Sequence, residues 1–514
     1  MHAAGLAESG PAHADVRLVP AALTCWAVTA AGIRWPIGRV LALGCVALAA
    51  GGGALACRAP RRPGGLARGI GAALVAVGVV GAGFGFAVAL RADAVARHPI
   101  AASFGSAAPV TVSPTESPVS LGRGRLMFRA DLRQLRDDRM SGRVVVFARA
   151  PDFGDLVVGR PVRFTARIGR PTRHDLTVAV LNASGRPTAG PAGAVQRTAH
   201  AVRGRFAAAA HETLPADQAA MLPALVLGDT TAVTAATGRD FRAAGMTHLT
   251  AVSGANVTIV CGAVLFSARL IGPRAAVVLA AAALAAFVVV VQPTASVLRA
   301  AVMGAIALAG ILSSRRRQAI PALCGTVLVL LTFAPHLAVD VGFALSVLAT
   351  AALVVLAPVW SRRLVARGWP KPLADAVAIA WAAHVVTAPL VAGISGRLSL
   401  VAVGANLAVA PVIAPITVLG SAAAALCPLW PSGARLLIRF TGPELWWVLH
   451  VARSAAAVPG AAVSVPSGAP GVVLVGAAAI LVVLLWRRRW FRVVSGSAVL
   501  CLLAWSASGL VGRP

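Results

Sequence analysis

From about residue 218 the chain is one apolar stretch after another, each closed by glycine, proline or arginine, and nothing else in it limits the fold so strongly. A helix of about 20 apolar residues crosses the hydrocarbon core of a bilayer. Inside that core only helices or closed barrels keep every backbone group bonded. Candidate spans fall near 246–271, 275–292, 297–313, 319–334, 340–359, 373–393, 398–426, 441–458, 470–486 and 493–511, with three earlier ones near 18–33, 36–57 and 70–90. With 514 residues, 58% hydrophobic and 12% charged, the chain has more apolar surface than one soluble core can hide. The expected fold is a polytopic α-helical membrane protein, multi-pass in the cell membrane, with membrane lipid as a partner. The opening residues MHAAGLAESGPAHADVRLVP lack a basic start followed by a compact apolar run and a cleavage site, so the first apolar stretch is expected to be retained as a span.

The net charge of +30 is almost wholly arginine, since Lys371 is the only lysine and tyrosine is absent. Such a charge serves orientation, anionic lipid or a polyanionic ligand, and position must separate these uses. The segment RAPRRPGGLAR, with Arg58, Arg61, Arg62 and Arg68, is expected in the cytoplasm, so residues from about 91 emerge outside. Arg34 and Arg39 argue mildly the other way. The clusters Arg315–Arg317 and Arg362, Arg363, Arg367 and Lys371 then fall on the cytoplasmic side; Arg487–Arg489 agrees if 398–426, with Pro411 and Pro415, crosses once. The seven cysteines have no CxxC spacing and read as free buried thiols, and no metal or other cofactor is expected.

Residues 91–217 differ in kind. Runs such as RVVVFARA (143–150), PVRFTARI (161–168) and DLTVAVL (175–181) alternate apolar and polar positions between turn residues, the pattern of half-buried strands. The expected organisation is amino-terminal helices over 1–90, a small β-rich extracytoplasmic domain over 91–217 and a polytopic membrane domain over 218–514. The middle domain holds 19 arginines against ten carboxylates, a net of +9. Arg143, Arg149, Arg163 and Arg167 on its strands are candidates for phosphate-backbone contact. A solvated arginine-rich surface set by coding bias reads equally well from charge alone. Stacking platforms are thin, with six phenylalanines and no tryptophan or tyrosine.

Polar groups inside the second apolar block are the informative ones, because they are costly in hydrocarbon and face a cavity, a partner helix or a path. In LVLGDTTAVTAATGRDFRAAGMTHLTAVSGANV, Asp229 and Asp240 precede an apolar run that carries His248, Thr250, Ser253 and Asn256. On a regular helix Thr250, Ser253 and Asn256 form a drifting stripe with His248 off the Ser253 face. That stripe suits a water-lined path or a tight helix contact. In QPTASVLRAAVMG, Arg299 follows the breaker Pro293 and reads as an interfacial side chain or the partner of a carboxylate. In VDVGFALSVLAT, Asp340 stands at a helix start and Ser346 further inside; His384 and Asn406 are further candidates, each also at home in a helix-packing hydrogen bond.

Taken in order, LVLGD, FRAAGMTHLTAVSGANV, LRAAVMG, DVGFALSVLA and NLAVAPV resemble the competence domain of the ComEC family, membrane channels for DNA uptake, over roughly 218–425. The resemblance implies an OB-like external domain that touches DNA, a polar stripe along the path of one strand, and single-stranded DNA as the partner. It further implies a DNA receptor outside and an ATP-driven motor inside, since no GxxxxGK[ST] sequence is present. Many family members carry a metallo-β-lactamase-like nuclease domain with clustered His and Asp. This sequence has no His-x-His, so degradation of the second strand is expected of a separate nuclease, and the chain is expected not to be an enzyme.

Two other readings use the same residues. A secondary transporter of a small or lipidic anion would relay through Asp229, Asp340, His248 and Arg299. An intramembrane hydrolase would use Ser253 as nucleophile with His248 or His384 as base, a poor geometry unless the helix is broken.

Overall fold

A computed structural model describes residues 15–59, 66–154, 156–292, 295–312 and 319–485. The expected span near 493–511 and the clusters Arg315–Arg317 and Arg487–Arg489 lie outside the described residues. Three helices come first, α1 (Val19–Arg34), α2 (Gly38–Arg58) and α3 (Leu66–Ala96). Strands β1 (Ala107–Pro114), β2 (Val119–Gly122), β3 (Arg125–Leu135) and β4 (Asp138–Arg149), a turn of helix α4 (Ala150–Phe153), and strands β5 (Val162–Gly169) and β6 (Thr177–Ala189) follow. Then come α5 (Ala194–Thr213), α6 (Ala216–Leu227), α7 (Ala235–Ala243), α8 (Gly254–Ala268), α9 (Pro273–Val291), α10 (Ala295–Leu312), α11 (Ala319–Phe333), α12 (Val341–Val355) and α13 (Ala357–Val365). The described chain closes with α14 (Lys371–Ser395), β7 (Arg397–Ser399), α15 (Ala402–Leu426), α16 (Pro431–Phe440), α17 (Gly442–Ala457), β8 (Ala462–Ser464) and α18 (Ala469–Leu485). Proline in the first turn starts α1, α9, α13, α14, α16 and α17, where its missing N–H costs nothing.

Among the described residues, six helical segments are long and apolar enough to cross a membrane: Gly38–Arg58, Leu66–Ser103, Pro273–Val291, Val341–Val365, Lys371–Ser395 and Ala402–Leu426. The expected span at 246–271 is corrected. Only Gly254–Ala268 is α-helical, preceded by a 3-10 turn at Thr247–Leu249. At 15 residues α8 is about 22 Å long, short of the hydrocarbon thickness. Thr250 and Ser253 precede the helix, so no continuous helical stripe joins them to Asn256.

The chain divides into two compact units, Met1–Pro191 with Ala305–Asp340, and Ala192–Gly304 with Val341–Pro514. In the first, α2 and α3 meet along a seam of small residues seven apart: Gly71, Gly78 and Gly85 on one helix, Gly38, Cys45 and Gly52 on the other. A Cβ on Gly78 would stand 2.6 Å from the Cys45 carbonyl, so the two backbones touch directly. Arg39, which argued against the expected orientation, is ion-paired with Asp93 of α3.

The strands of this unit close on themselves. The sheet runs β1-β5-β6-β4-β3-β2, and β1 also pairs with β3, giving a five-stranded barrel with β2 hung on its edge. All barrel pairs are antiparallel except β4 with β6. Alternation decides the faces: in β5, Val162, Phe164, Ala166 and Ile168 point inward while Arg163 and Arg167 point out. The barrel core is apolar, with Phe128, Phe153 and Phe164 packed ring to ring.

In the second unit small residues again let helices approach. Ala378 and Ala382 of α14 pack on Ala352 and Ala357. A Cβ on Gly420 of α15 would come within 2.4 Å of Val226 in α6. Such close backbone approach brings the paired helices into direct van der Waals contact.

Candidate functional site

Two half-length helices meet inside the second unit. Helix α6 stops at Gly228, whose φ of +70° turns the chain away and leaves the last carbonyls of the helix without intrahelical donors. Side chains take their place. Asn256 Nδ2 donates to the Leu225 carbonyl at 2.9 Å, and Arg203 Nη1 donates to the Leu227 carbonyl at 3.1 Å and to the Val290 carbonyl at 3.2 Å. Asp229 meets the Arg203 guanidinium at 3.3 Å and accepts from the Thr231 hydroxyl at 2.6 Å.

Downstream, Gly245 sits at φ +69°, and a Cβ there would lie 2.5 Å from that of Ala402. Only glycine fits both constraints. Its carbonyl receives Asn406 Nδ2 at 3.4 Å, and the His248 imidazole lies within electrostatic reach of that carbonyl and of His384. Ser399 Oγ donates to the Ala243 carbonyl at 2.7 Å, which pins the same turn to the start of α15. His248 itself keeps an exposed side chain, and Thr250 only closes its own turn on the Thr247 carbonyl at 2.8 Å.

Helix α8 begins at the capping position Ser253, but the Ser253 hydroxyl does not cap it. It donates to Asn256 Oδ1 at 3.3 Å. Against this first turn lies Arg299 of α10, only 6% exposed. Its Nε donates to Ser346 Oγ at 2.6 Å, Ser346 is 3.2 Å from Ser296 Oγ, and its Nη1 reaches Met303 Sδ at 3.1 Å. The predicted candidates therefore sort by place. Ser253, Asn256, Arg299 and Ser346 gather at the start of α8; His248 and Asn406 lie by the Gly245 carbonyl, with His384 within electrostatic reach of His248; Asp229 joins Arg203. Arg299, read as interfacial or carboxylate-paired, is buried, and among the described residues no carboxylate pairs with it. Arg203 escaped the sequence reading because arginine is so common in this chain that one more, on a helix of small residues, carried no signal.

Asp340 belongs to the first unit, where it lies 3.8 Å from Arg129 of β3; Arg129 also binds Glu116 at 3.0 Å. Beside them His336, in the 3-10 turn Pro335–Val339, is pushed down to about 3 by burial and by Arg143, Arg129 and Arg91. Arg143 is half-buried, and burial, then the charge of Arg129, lowers its pKa. The other strand candidates, Arg149, Arg163 and Arg167, are exposed. Arg149 stands directly opposite Arg125, a like-charge pairing that costs stability and concentrates positive charge. Arg163 is 3.9 Å from Asp137. Arg167, with Phe104, Arg170 and Asn182, lines an open pocket of about 410 Å³, and Arg170 lies 5.9 Å from the Phe104 ring centre. Phe104 and Arg170 come from loops, so strand alternation alone did not single them out.

The family model described as Competence protein matches residues 225–490, from the end of α6 through α18. No curated protein and no solved structure matches the chain.

Proposed function

The chain belongs to the competence protein family, whose model covers more than half of it, and from that premise we propose that it is a multi-pass channel of the cell membrane that passes single-stranded DNA inward during uptake. The observation that carries the reading is the break between α6 and α8 inside the matched region, where Asn256, Ser253, Arg299 and Ser346 converge within an otherwise apolar bundle. Irregular backbone at such a place is tolerated where it lines a cavity or a path.

The barrel supports the same reading. Counting its closing strands in chain order as one to five, their neighbour order is 1-2-3-5-4-1 with three and five parallel, the connectivity of an OB-like barrel. Such barrels hold strands with a positive surface and aromatic platforms. Arg125, Arg149, Arg167 and Arg170 with Phe104 offer both. A helical bundle more readily admits one charged backbone than two, so a single strand is the cargo. A DNA receptor outside, an ATP-driven motor inside and a separate nuclease complete the proposed machinery.

A small-anion relay is less well served. Asp229 and Asp340 are each ion-paired, with Arg203 and Arg129, so neither is an open relay group. The test is uptake of labelled DNA by cells with and without the chain, and with Asn256→Leu and His248→Leu at equal membrane levels. Loss of internalisation with surface binding retained is expected; unchanged uptake on deletion overturns the reading.

A further inference from the structure

We infer that Arg299, resting on the amino-terminal turn of α8, is a phosphate station that binds one backbone phosphodiester of the passing strand, an assignment that rests on the DNA-channel reading above. Arg299 is 6% exposed. Its Nε is satisfied by Ser346 and its Nη1 reaches only the weakly accepting sulfur of Met303. Among the described residues its Nη2 has no acceptor and its charge has no carboxylate within ion-pair range. An enclosed charge without a counter-ion is one of the costliest arrangements a protein can hold.

The neighbourhood compounds that cost. The guanidinium lies at the end of α8 where the helix dipole is positive and the first N–H groups have no preceding helical turn to bond, the Asn256 N–H turning back onto the Ser253 carbonyl at 3.2 Å. Ser253, at the capping position, supplies no side-chain cap to those groups. Gly254 makes the approach possible, since a Cβ there would stand 2.8 Å from Nη2. Two donors of positive character are thus brought together, with Ser346, itself in hydrogen-bond contact with Ser296, anchoring the guanidinium at Nε. An anion at that point satisfies both at once. The guanidinium fork matches the two free oxygens of a phosphodiester. A single such contact is weak enough for a strand to leave, as conduction requires.

The test uses cells that depend on the chain for uptake, supplied with labelled DNA whose strands carry either ordinary linkages or a patch of uncharged methylphosphonates. With wild type, import of the neutral patch falls relative to ordinary DNA. Arg299→Gln is expected to lower import of ordinary DNA by about tenfold, the scale of one charge-assisted hydrogen bond, and to erase the difference between the two DNAs. Arg299→Lys is expected to retain part of that difference. If Arg299→Gln does not accumulate in the membrane, Gly254→Ala, which keeps the arginine but drives its guanidinium off the helix end, reads the same ratio. Loss of the difference supports the station. A variant that imports less DNA yet discriminates as wild type does, or one that imports normally, overturns it and leaves the channel reading intact. Full uptake by cells lacking the chain overturns the channel reading and this assignment together.

Discussion

Asn256, near the start of α8, donates its side-chain amide to the backbone carbonyl of Leu225, 2.9 Å away near the end of α6, so that one helix is finished by a residue 31 positions further along the chain. The bond is buried, with Asn256 at 5% exposure, and the chain between the two helices turns at Gly228 and Gly245. Asn256 thus fixes the break that positions Ser253, Gly254 and Arg299.

Replacing Asn256 by alanine leaves the Leu225 carbonyl buried without that donor. The expected loss is about 1–3 kcal/mol of stability, read as a lower thermal midpoint of the purified chain in detergent. Thr258→Ala, which removes an exposed hydroxyl that only back-bonds the Gly254 carbonyl, is expected to stay within about 0.5 kcal/mol. Equal midpoints for the two variants would remove Asn256 from this role.

Arg203 and Asp229 form a largely enclosed pair, with side-chain exposures of 11% and 21%. Asp229→Asn alone strands the guanidinium, and Arg203→Gln alone strands the carboxylate. A double-mutant cycle should give a coupling of about 1–3 kcal/mol, above that of exposed pairs. Additive single effects would show that the two charges act independently.

The seam between α2 and α3 is set by backbone approach, so its tolerance differs sharply along one helix. Gly78→Val drives a side chain into the Cys45 carbonyl at 2.6 Å and the Ala49 nitrogen at 2.7 Å, neither of which can move aside. Gly83, with nothing within 4 Å, should accept valine. Membrane levels and thermal midpoints of the two variants provide the comparison, with at least about 2 kcal/mol lost at position 78.

His336 remains neutral in the folded chain down to about pH 3, because burial and then the charges of Arg143, Arg129 and Arg91 exclude a proton. The unfolded chain takes that proton near pH 6.5. The stabilisation is therefore complete above pH 6.5 and diminishes as pH falls from there toward 3, where the unfolded state binds more protons. Unfolding followed from pH 8 to pH 4 should show a shallower decline for His336→Gln than for wild type. Parallel profiles would assign the acid sensitivity to other groups.

The helix pattern was readable because a run of about 20 apolar residues declares itself in hydropathy alone, and the expected stretches near 36–57, 275–292 and 373–393 recur as the apolar helices α2, α9 and α14. Alternation located β4, β5 and β6 for the same kind of reason, since a strand with one face in the core must repeat every second residue. The stretch 246–271 misled because hydropathy measures apolar character and is blind to where the backbone stops being helical. Its break is set by Gly245 against Ala402 and by Asn256 reaching Leu225, relationships between distant parts of the chain.

Composition and periodicity thus determined how many apolar segments exist, where most of them lie, and which residues are too polar to be accidental among them. They could not assign partners. Whether Asp340 answers to Arg129, Asp229 to Arg203, or Arg299 to no carboxylate among the described residues depends on which elements are folded against one another. An isolated arginine has the same one-letter code whether its charge is cancelled or left open, and only the approach of Gly254, at the start of α8, to Arg299 of α10, itself held by Ser346 of α12, leaves the charge at position 299 standing beside the positive end of a helix.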